Sequence, residues 1–101
     1  MIIIETESAF RDVAGILDYL LKKSPKGAAN VALAYREAKE RLTSLPYASL
    51  ELDEQKIRRI PLAKYPYTIF LIVDADLEEV QILRVVHSAR VKDLGSLPDF
   101  D

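Results

Sequence analysis

The hydrophobic pattern of this chain changes period near its midpoint, and this change limits the folds it can adopt. In the first half, apolar residues recur every three or four positions, which is the spacing of one face of a helix. In the second half, short runs rich in β-branched and aromatic residues are separated by only a few polar ones. A helical half followed by a β-rich half predicts an α+β domain with two layers.

The chain opens with a short strand and a first amphipathic helix. Residues 2–5, "IIIE", are β-branched and typical of a strand. Thr6 or Ser8 can cap a helix that runs to about Lys23. Apolar residues at helical spacing predict its buried stripe, with Ala14 and Leu21 beside it: Phe10, Val13, Leu17 and Leu20.

A tight connection then starts a second helix, which predicts a helical hairpin. Ser24 can act as N-cap, with Pro25 at the first helical position, where its missing N–H breaks no bond. The helix stops before Pro46. Its predicted apolar stripe is Val31, Tyr35, Ala38, Leu42 and Leu45.

Three strands follow, at residues 56–62, 67–73 and 80–86. Their connectors are short, so the strands pair antiparallel as a three-stranded meander. The middle strand is apolar on both faces, which predicts a central position with material on each side. Pro61 indicates that the first of the three lies at an edge or is irregular. The ending "GSLPDF", residues 95–100, argues against a long final helix, and no linker divides the single domain predicted over 1–101.

Composition excludes several classes of protein. There is no cysteine, so a disulfide framework and a thiolate metal site are excluded. The single histidine argues against a zinc site, which would have to rest on carboxylates alone, and we expect no cofactor. The opening is neither a signal peptide nor a membrane span, which indicates a cytoplasmic protein. The net charge of −2 argues against direct nucleic-acid binding.

Several pieces of sequence occur in a specific order. A "D-Y" lies near the end of the first helix, a proline at the helical turn, and "L-x-x-x-P" at the end of the second helix. "R-R-I-P…Y-P-Y-x-I-F" and then "V-x-I-L-R-V-x-H-x-x-R" follow in the meander. In this order and spacing, over nearly the whole chain, the sequence resembles the RelE/ParE superfamily of toxins from type II toxin–antitoxin systems, and its ParE-like branch in particular.

The resemblance implies an antiparallel sheet packed against two N-terminal helices, and a cognate antitoxin protein that neutralises the toxin. ParE-like members are described as inhibitors of DNA gyrase and are linked to plasmid stabilisation, whereas RelE-like members cut mRNA on the ribosome. This chain is acidic, whereas such toxins are often basic. We expect an exposed apolar strip, where an antitoxin segment binds as a helix in a groove or as an added strand.

Cleavage of RNA needs a general base, a general acid and cations around the phosphate. The mRNA-cutting relatives supply lysines and arginines, with a tyrosine or histidine toward the C-terminus. Here no tyrosine follows Tyr67, and after Arg90 only Lys92 adds a cation. The residues left for a ribonuclease site are Arg58, Arg59, Lys64, Arg84, His87 and Arg90.

Two of these candidates are better interpreted as structural. We expect Arg84 to bridge the sheet to a carboxylate or to the chain end. We expect His87 to be packed and hydrogen-bonded where the chain leaves the sheet. Unless a bulge intervenes, the two cannot meet at one phosphate. Strict alternation places Arg84 on the face of Val80, Ile82 and Val86, and His87 on the face of Leu83 and Val85.

We therefore interpret the chain as a non-enzymatic, ParE-like toxin that binds a protein target such as DNA gyrase. Its target-binding residues are predicted to be the cations most exposed outside the helical hairpin: Arg58, Arg59 and Arg90. One alternative is a ribosome-dependent mRNA endonuclease of the RelE type. A second is a protein with the toxin fold that is no longer toxic, which the acidic balance permits.

Overall fold

A computed structural model describes residues 1–51 and 56–93 of this chain. The ending at residues 95–100 lies outside the described residues. Within the described residues, eight elements follow in chain order: β1 (Ile2–Glu5), α1 (Glu7–Lys23), α2 (Pro25–Ser44), β2 (Leu50–Glu51), β3 (Arg58–Pro61), β4 (Tyr67–Asp74), β5 (Glu79–His87) and α3 (Ser88–Asp93).

The strands form one sheet in the order β1-β5-β4-β3-β2. The β3–β4–β5 part is the predicted antiparallel meander, while β1 pairs parallel to β5. The two-residue strand β2 was not predicted, because so short a segment has no readable alternation. β2 pairs with Arg58 and Arg59, so the β2–β3 ladder does not reach Pro61. The missing N–H of Pro61 therefore removes no hydrogen bond from this ladder.

Side-chain caps fix where the two long helices begin. Of the two possible caps for α1, the structure uses Thr6, whose Oγ1 accepts a hydrogen bond from the Ala9 N–H at 3.1 Å. Ser24 ends α1 by donating its backbone N–H to the Leu20 carbonyl at 2.7 Å. Its Oγ also caps α2 by accepting from the Gly27 N–H at 3.0 Å. The predicted helical hairpin is therefore confirmed.

Both helices pack on the same face of the sheet and form the main core. Phe10 and Leu45, predicted in the buried stripes, are 65% and 58% exposed. The other predicted residues of the α1 stripe, Val13, Leu17 and Leu20, do pack against the core. Ile16 joins them, which centres the contact away from Phe10 and leaves that ring in solvent. The buried members of this core are Ala9, Val31, Tyr35, Ala38, Leu42, Ile60, Leu62, Tyr67, Ile69, Leu71, Val80, Ile82 and Val85.

The opposite face of the sheet carries a smaller apolar cluster. Phe70 is fully buried there, with Ile57 and Val86 buried beside it. Val91 of α3 packs against this cluster. Since the neighbours of Phe70 in β4 are buried on the helical side, the predicted central strand with both faces covered is confirmed.

A β-bulge at Leu83 changes which side chains share a face. Phe70 pairs with Arg84, but the next residue, Leu71, pairs with Ile82, so Leu83 has no partner in β4. The predicted alternation is therefore wrong on this strand. Beyond the bulge, Val85 and His87 share the helical face with Val80 and Ile82, while Leu83 and Val86 pack on the opposite face.

In the part of the chain that the structure describes, no helix combines the length and the apolar character needed to cross a membrane.

Candidate functional site

Arg84 is held by a carboxylate from α1. Its Nε donates to Asp12 Oδ2 at 2.7 Å and its Nη2 to Oδ1 at 3.0 Å. The hydrogen bond to Asp12 raises the pKa of the Arg84 guanidinium. Both side chains are mostly buried, with 28% of Arg84 and 17% of Asp12 exposed. Arg84 therefore joins α1 to the sheet. The sequence led us to expect a bridge to a carboxylate or to the chain end, and the partner in the structure is the Asp12 carboxylate.

The end of β1 explains why a carboxylate is needed at this point. The Thr6 N–H donates to the Ile82 carbonyl at 3.0 Å, and its hydroxyl donates to the Leu83 carbonyl at 2.9 Å. After Thr6 the chain turns into α1, so the edge of β5 loses its strand partner. Asp12 then accepts the Val85 N–H at 2.9 Å and satisfies this edge. The sequence analysis did not identify Asp12. The only feature that could have pointed to it is its position beside the apolar stripe of α1, next to Val13.

Arg58 was predicted to be a solvated target-binding cation, but its guanidinium is tied to the segment before β2. Its Nε donates to Ser49 Oγ at 2.8 Å, and its Nη2 donates to the carbonyls of Ser49 and, at 3.2 Å, Tyr47. The guanidinium also lies 5.3 Å from the Tyr47 ring centroid. Arg58 thus holds residues 47–49 against β3, because its donors match the carbonyls that this segment presents.

Arg59 lies on the opposite face from Arg58, where it pairs across the strands with Phe70. It lines a groove with a volume of about 550 Å³. Thr68 and Ser88 meet in this groove, with their hydroxyl oxygens 2.9 Å apart. The remaining lining residues are Ala48, Ser49, Ile60, Pro61 and Val91.

His87 lies at the last position of β5 and is exposed. Its ring stands edge-on to Tyr67, with 5.5 Å between centroids and an interplanar angle of 79°. Nδ1 accepts the Ala89 N–H at 3.2 Å, which places the proton of a neutral ring on Nε2. The imidazole has the backbone bond expected from the sequence, but it lies at the surface instead of in a packed interior.

The six candidate ribonuclease residues do not gather at one point. Arg84 is paired with Asp12, and Arg58 and Arg59 lie on opposite faces of β3. The other three share one end of the sheet, because Tyr67 pairs with His87 and the Ser88 N–H donates to the Pro66 carbonyl at 2.7 Å. These three are exposed: Lys64 in the β3–β4 turn, with φ of 72°, then His87, and Arg90 in α3.

Two apolar strips are exposed within the described residues. On α1, Phe10 and Leu21 are 65% and 55% exposed, and Ala14 lies exposed between them. On β1, which forms one edge of the sheet, Ile2 and Ile4 are 66% and 41% exposed. We call these the α1 strip and the β1 edge. Neither is covered by another described element, so both are available to a partner.

Comparison with known proteins identifies a family and several similar solved structures. The model of the ParE toxin family of the type II toxin–antitoxin system parDE matches residues 3–92. No curated protein sequence matches the chain significantly. A structure of the chromosomal ParDE toxin–antitoxin system from P. aeruginosa is 22% identical, with a TM-score of 0.72, covering 86% of this chain and 95% of that one.

A second similar structure is the RelBE2 toxin–antitoxin complex from Mycobacterium tuberculosis. It is also 22% identical, with a TM-score of 0.53, and the match covers 85% of this chain and 95% of that chain. At this identity both structures support the fold, an α+β arrangement of N-terminal strand, helical hairpin and antiparallel meander. Because the family model spans nearly the whole sequence, the chain belongs to the ParE toxin family of type II toxin–antitoxin systems.

Proposed function

We propose that this protein acts in the cytoplasm as a toxin that binds a protein target, and that a cognate antitoxin neutralises it. The main support for the binding mechanism is that the fold holds the arginines proposed for RNA cleavage at separate places. Of the six candidates, Arg84 is held by Asp12, Arg58 by residues 47–49, and Arg59 lies on the opposite face, so only Lys64 and Arg90 remain as candidate cations beside His87 at one end of the sheet. A phosphate in the transition state of RNA cleavage needs several cations at one point. This arrangement favours contact with a surface over cleavage of RNA.

The proposed target is DNA gyrase, which is the target described for ParE-like toxins. Arg59 and Arg90 are the predicted target contacts that the structure leaves most available. Arg90 is exposed on α3, and Arg59 lines the groove that Val91 of the same helix closes. Surface cations of this kind guide approach and orientation more than they add affinity.

The proposed antitoxin site is the α1 strip. Phe10, Ala14 and Leu21 share one side of α1, because four- and seven-residue steps return to the same side of a helix. The strip runs about 16 Å along the helix axis, long enough for three turns of a partner helix. An amphipathic antitoxin segment that lies along it would bury side chains now in water. The β1 edge offers a second mode, in which an antitoxin strand extends the sheet.

The decisive experiment compares purified components. The protein is added to a gyrase supercoiling reaction and, separately, to ribosomes that translate a defined mRNA. We expect loss of supercoiling and intact mRNA, with activity restored when the product of the neighbouring gene is added. Codon-dependent mRNA cleavage would instead establish the endonuclease alternative. A protein with no effect in either reaction, or on growth, would be the non-toxic alternative.

A further inference from the structure

Acidic residues are absent from three segments of this otherwise acidic chain. The sequence contains 16 aspartates and glutamates, yet none lies within residues 19–36, 55–73 or 80–92. These segments contain the α1–α2 turn, the β3–β4 turn and the end of β5. If the fold brings these three segments together, the surface that they form will carry basic residues and no acidic ones.

The fold brings these turns to one end of the sheet. The β3–β4 turn and the end of β5 are joined there by the hydrogen bond from Ser88 N–H to the Pro66 carbonyl, 2.7 Å long. The α1–α2 turn joins them because α1 runs alongside β5. Asp12 contacts Val85, and Leu17 lines a small apolar cavity with Tyr67. The last turn of α1 ends at Lys23, about 9 Å beyond Leu17 along the helix axis.

We call this region the basic end, defined by its exposed cations: Lys22, Lys23, Lys26, Lys64 and Arg90. Asp18 is the nearest carboxylate along α1, and it pairs with Lys22 at 3.6 Å while both side chains stay more than 70% exposed. An exposed ion pair of this kind contributes little stability and is readily exchanged for a partner's charge.

The opposite end of the same strands carries the opposite charge. The β4–β5 turn presents four carboxylates, from Asp74, Asp76, Glu78 and Glu79. Glu79 and His87 are the two ends of β5, so the two charged regions lie about 26 Å apart. This separation exceeds the screening length of about 8 Å at physiological salt, so each end presents its own potential to a partner.

Apolar side chains are exposed beside the lysines of the basic end. Tyr19 and Leu21 are 54% and 55% exposed, although both lie in the last turns of α1. Lys23 Nζ sits 4.8 Å from the Tyr19 ring centroid, so cation and ring form one surface. A partner that carries only charge would leave this apolar area in water, whereas a polypeptide can cover it.

We propose that the basic end binds an acidic polypeptide segment that also carries apolar side chains. Its carboxylates would face Lys23, Lys26 and Arg90, and its apolar residues would cover Tyr19 and Leu21. A nucleic acid fits less well, because a long polyanion that leaves this end meets a chain whose net charge is −2. This surface shares Arg90 with the proposed target contact and Leu21 with the α1 strip, but the proposal rests on neither, because the test below contains no gyrase and no antitoxin.

The test uses the full-length protein and two double variants with the same change of net charge. Lys26→Glu with Arg90→Glu reverses two cations at the basic end. Arg36→Glu with Arg41→Glu reverses two exposed cations of α2 further from that end. The probe is a fluorescein-labelled peptide of glutamate, aspartate and leucine, and binding is followed by fluorescence anisotropy at low and at physiological salt. Circular dichroism melting shows that both variants fold.

We expect the basic-end variant to raise the Kd for the peptide about tenfold, while the α2 variant changes it about twofold or less. Raising the salt should weaken the binding of the parent and the α2 variant and leave the basic-end variant little changed. Equal losses in the two variants would overturn the proposal, because net charge alone would then account for binding. Tighter binding of a single-stranded oligonucleotide of equal charge, lost in the basic-end variant, would also overturn it, as would no binding of the peptide.

Discussion

Asp12 accepts two hydrogen bonds from the guanidinium of Arg84, at 2.7 and 3.0 Å, and a third from the backbone of the next residue. One carboxylate from α1 thereby closes the edge of β5 just after its bulge. The pair is separated by 72 positions in sequence, so it couples the first helix to the last strand.

Replacing Asp12 should destabilise the protein. Asp12→Asn keeps the shape but removes the charge and leaves the Arg84 guanidinium in a mostly buried position with weaker acceptors. We expect a loss of about 1–3 kcal/mol in the free energy of unfolding, measured by urea denaturation. Asp18→Asn is the matched control on the same helix and should change stability by about 0.5 kcal/mol or less. Equal effects of the two variants would mean that the Asp12 contacts contribute no more than an exposed pair.

Removing the hydroxyl of Tyr35 should not destabilise the protein. This hydroxyl is buried and makes no hydrogen bond of normal geometry among the described residues, although the Glu5 carboxylate lies near it. Burial raises the pKa of Tyr35, and the nearby Glu5 carboxylate adds to the effect, so the hydroxyl stays neutral across the physiological range. We expect Tyr35→Phe to be neutral or to stabilise by about 1 kcal/mol in urea denaturation. A loss greater than 1 kcal/mol would show that the hydroxyl is bonded in solution.

The three predicted target-binding arginines should separate into two classes. Arg59→Glu with Arg90→Glu should reduce growth arrest while the melting temperature stays near that of the parent, because both side chains are available to a partner. Arg58→Ala should instead lower stability by about 1–3 kcal/mol, because it removes the donors that hold residues 47–49. Growth assays at matched expression and thermal melts distinguish the two. Full toxicity of the double variant would place the target surface elsewhere.

Charges placed on the α1 strip should weaken the antitoxin complex. Phe10→Glu with Leu21→Glu should raise the Kd by about 100-fold, since two buried apolar anchors are each worth about 1.5 kcal/mol or more. Leu33→Glu, on the outer side of α2 and 44% exposed, is the control and should bind as the parent does. Ile4→Glu tests the β1 edge. If it alone weakens the complex, as measured by calorimetry with the purified antitoxin, strand addition is the binding mode.

Replacing His87 should leave toxicity intact. His87→Gln keeps a polar side chain that can accept the Ala89 N–H, but it cannot act as a base near neutral pH. Because the imidazole is exposed, we expect a stability loss of about 1 kcal/mol or less, mostly from the contact with Tyr67. Growth arrest on induction is the readout, with a thermal melt to show folding. A folded variant that loses toxicity together with an RNA-cleaving activity would establish the ribonuclease mechanism.

The helical hairpin and the meander could be predicted because their signals are local. Ser24 and Pro25 mark a helix boundary by their own chemistry, and the apolar run of residues 67–73 needs a central strand. The faces of α1 were harder to assign. Phe10 has the spacing of the apolar stripe, but the part of α1 that contacts the sheet does not reach it. How much of a helix face is buried depends on tertiary packing and cannot be read from the helical period.

The site was less predictable, because each cation's role depends on a partner distant in sequence. Nothing local marks Leu83 as a bulge, since no glycine stands there, and the bulge decides the face of every residue after it. Arg58 and Arg59 are adjacent and chemically identical, yet one is held by residues 47–49 and the other lines a groove. The sequence could predict that one of the two would be solvated, but not which.

The parallel pairing of β1 with β5 has a consequence for how the protein is made. Residues 2–5 pair with residues 79–82, so the earlier of these two segments to leave the ribosome must wait until residues 6–78 have followed it before its ladder can form. Contacts so distant in sequence form slowly, because the loop between them must close first. During synthesis the hairpin can form early, but its apolar face has no sheet to cover. A nascent copy of this toxin therefore cannot complete its sheet before residue 82 has emerged, and an antitoxin cannot meet the finished sheet before that point.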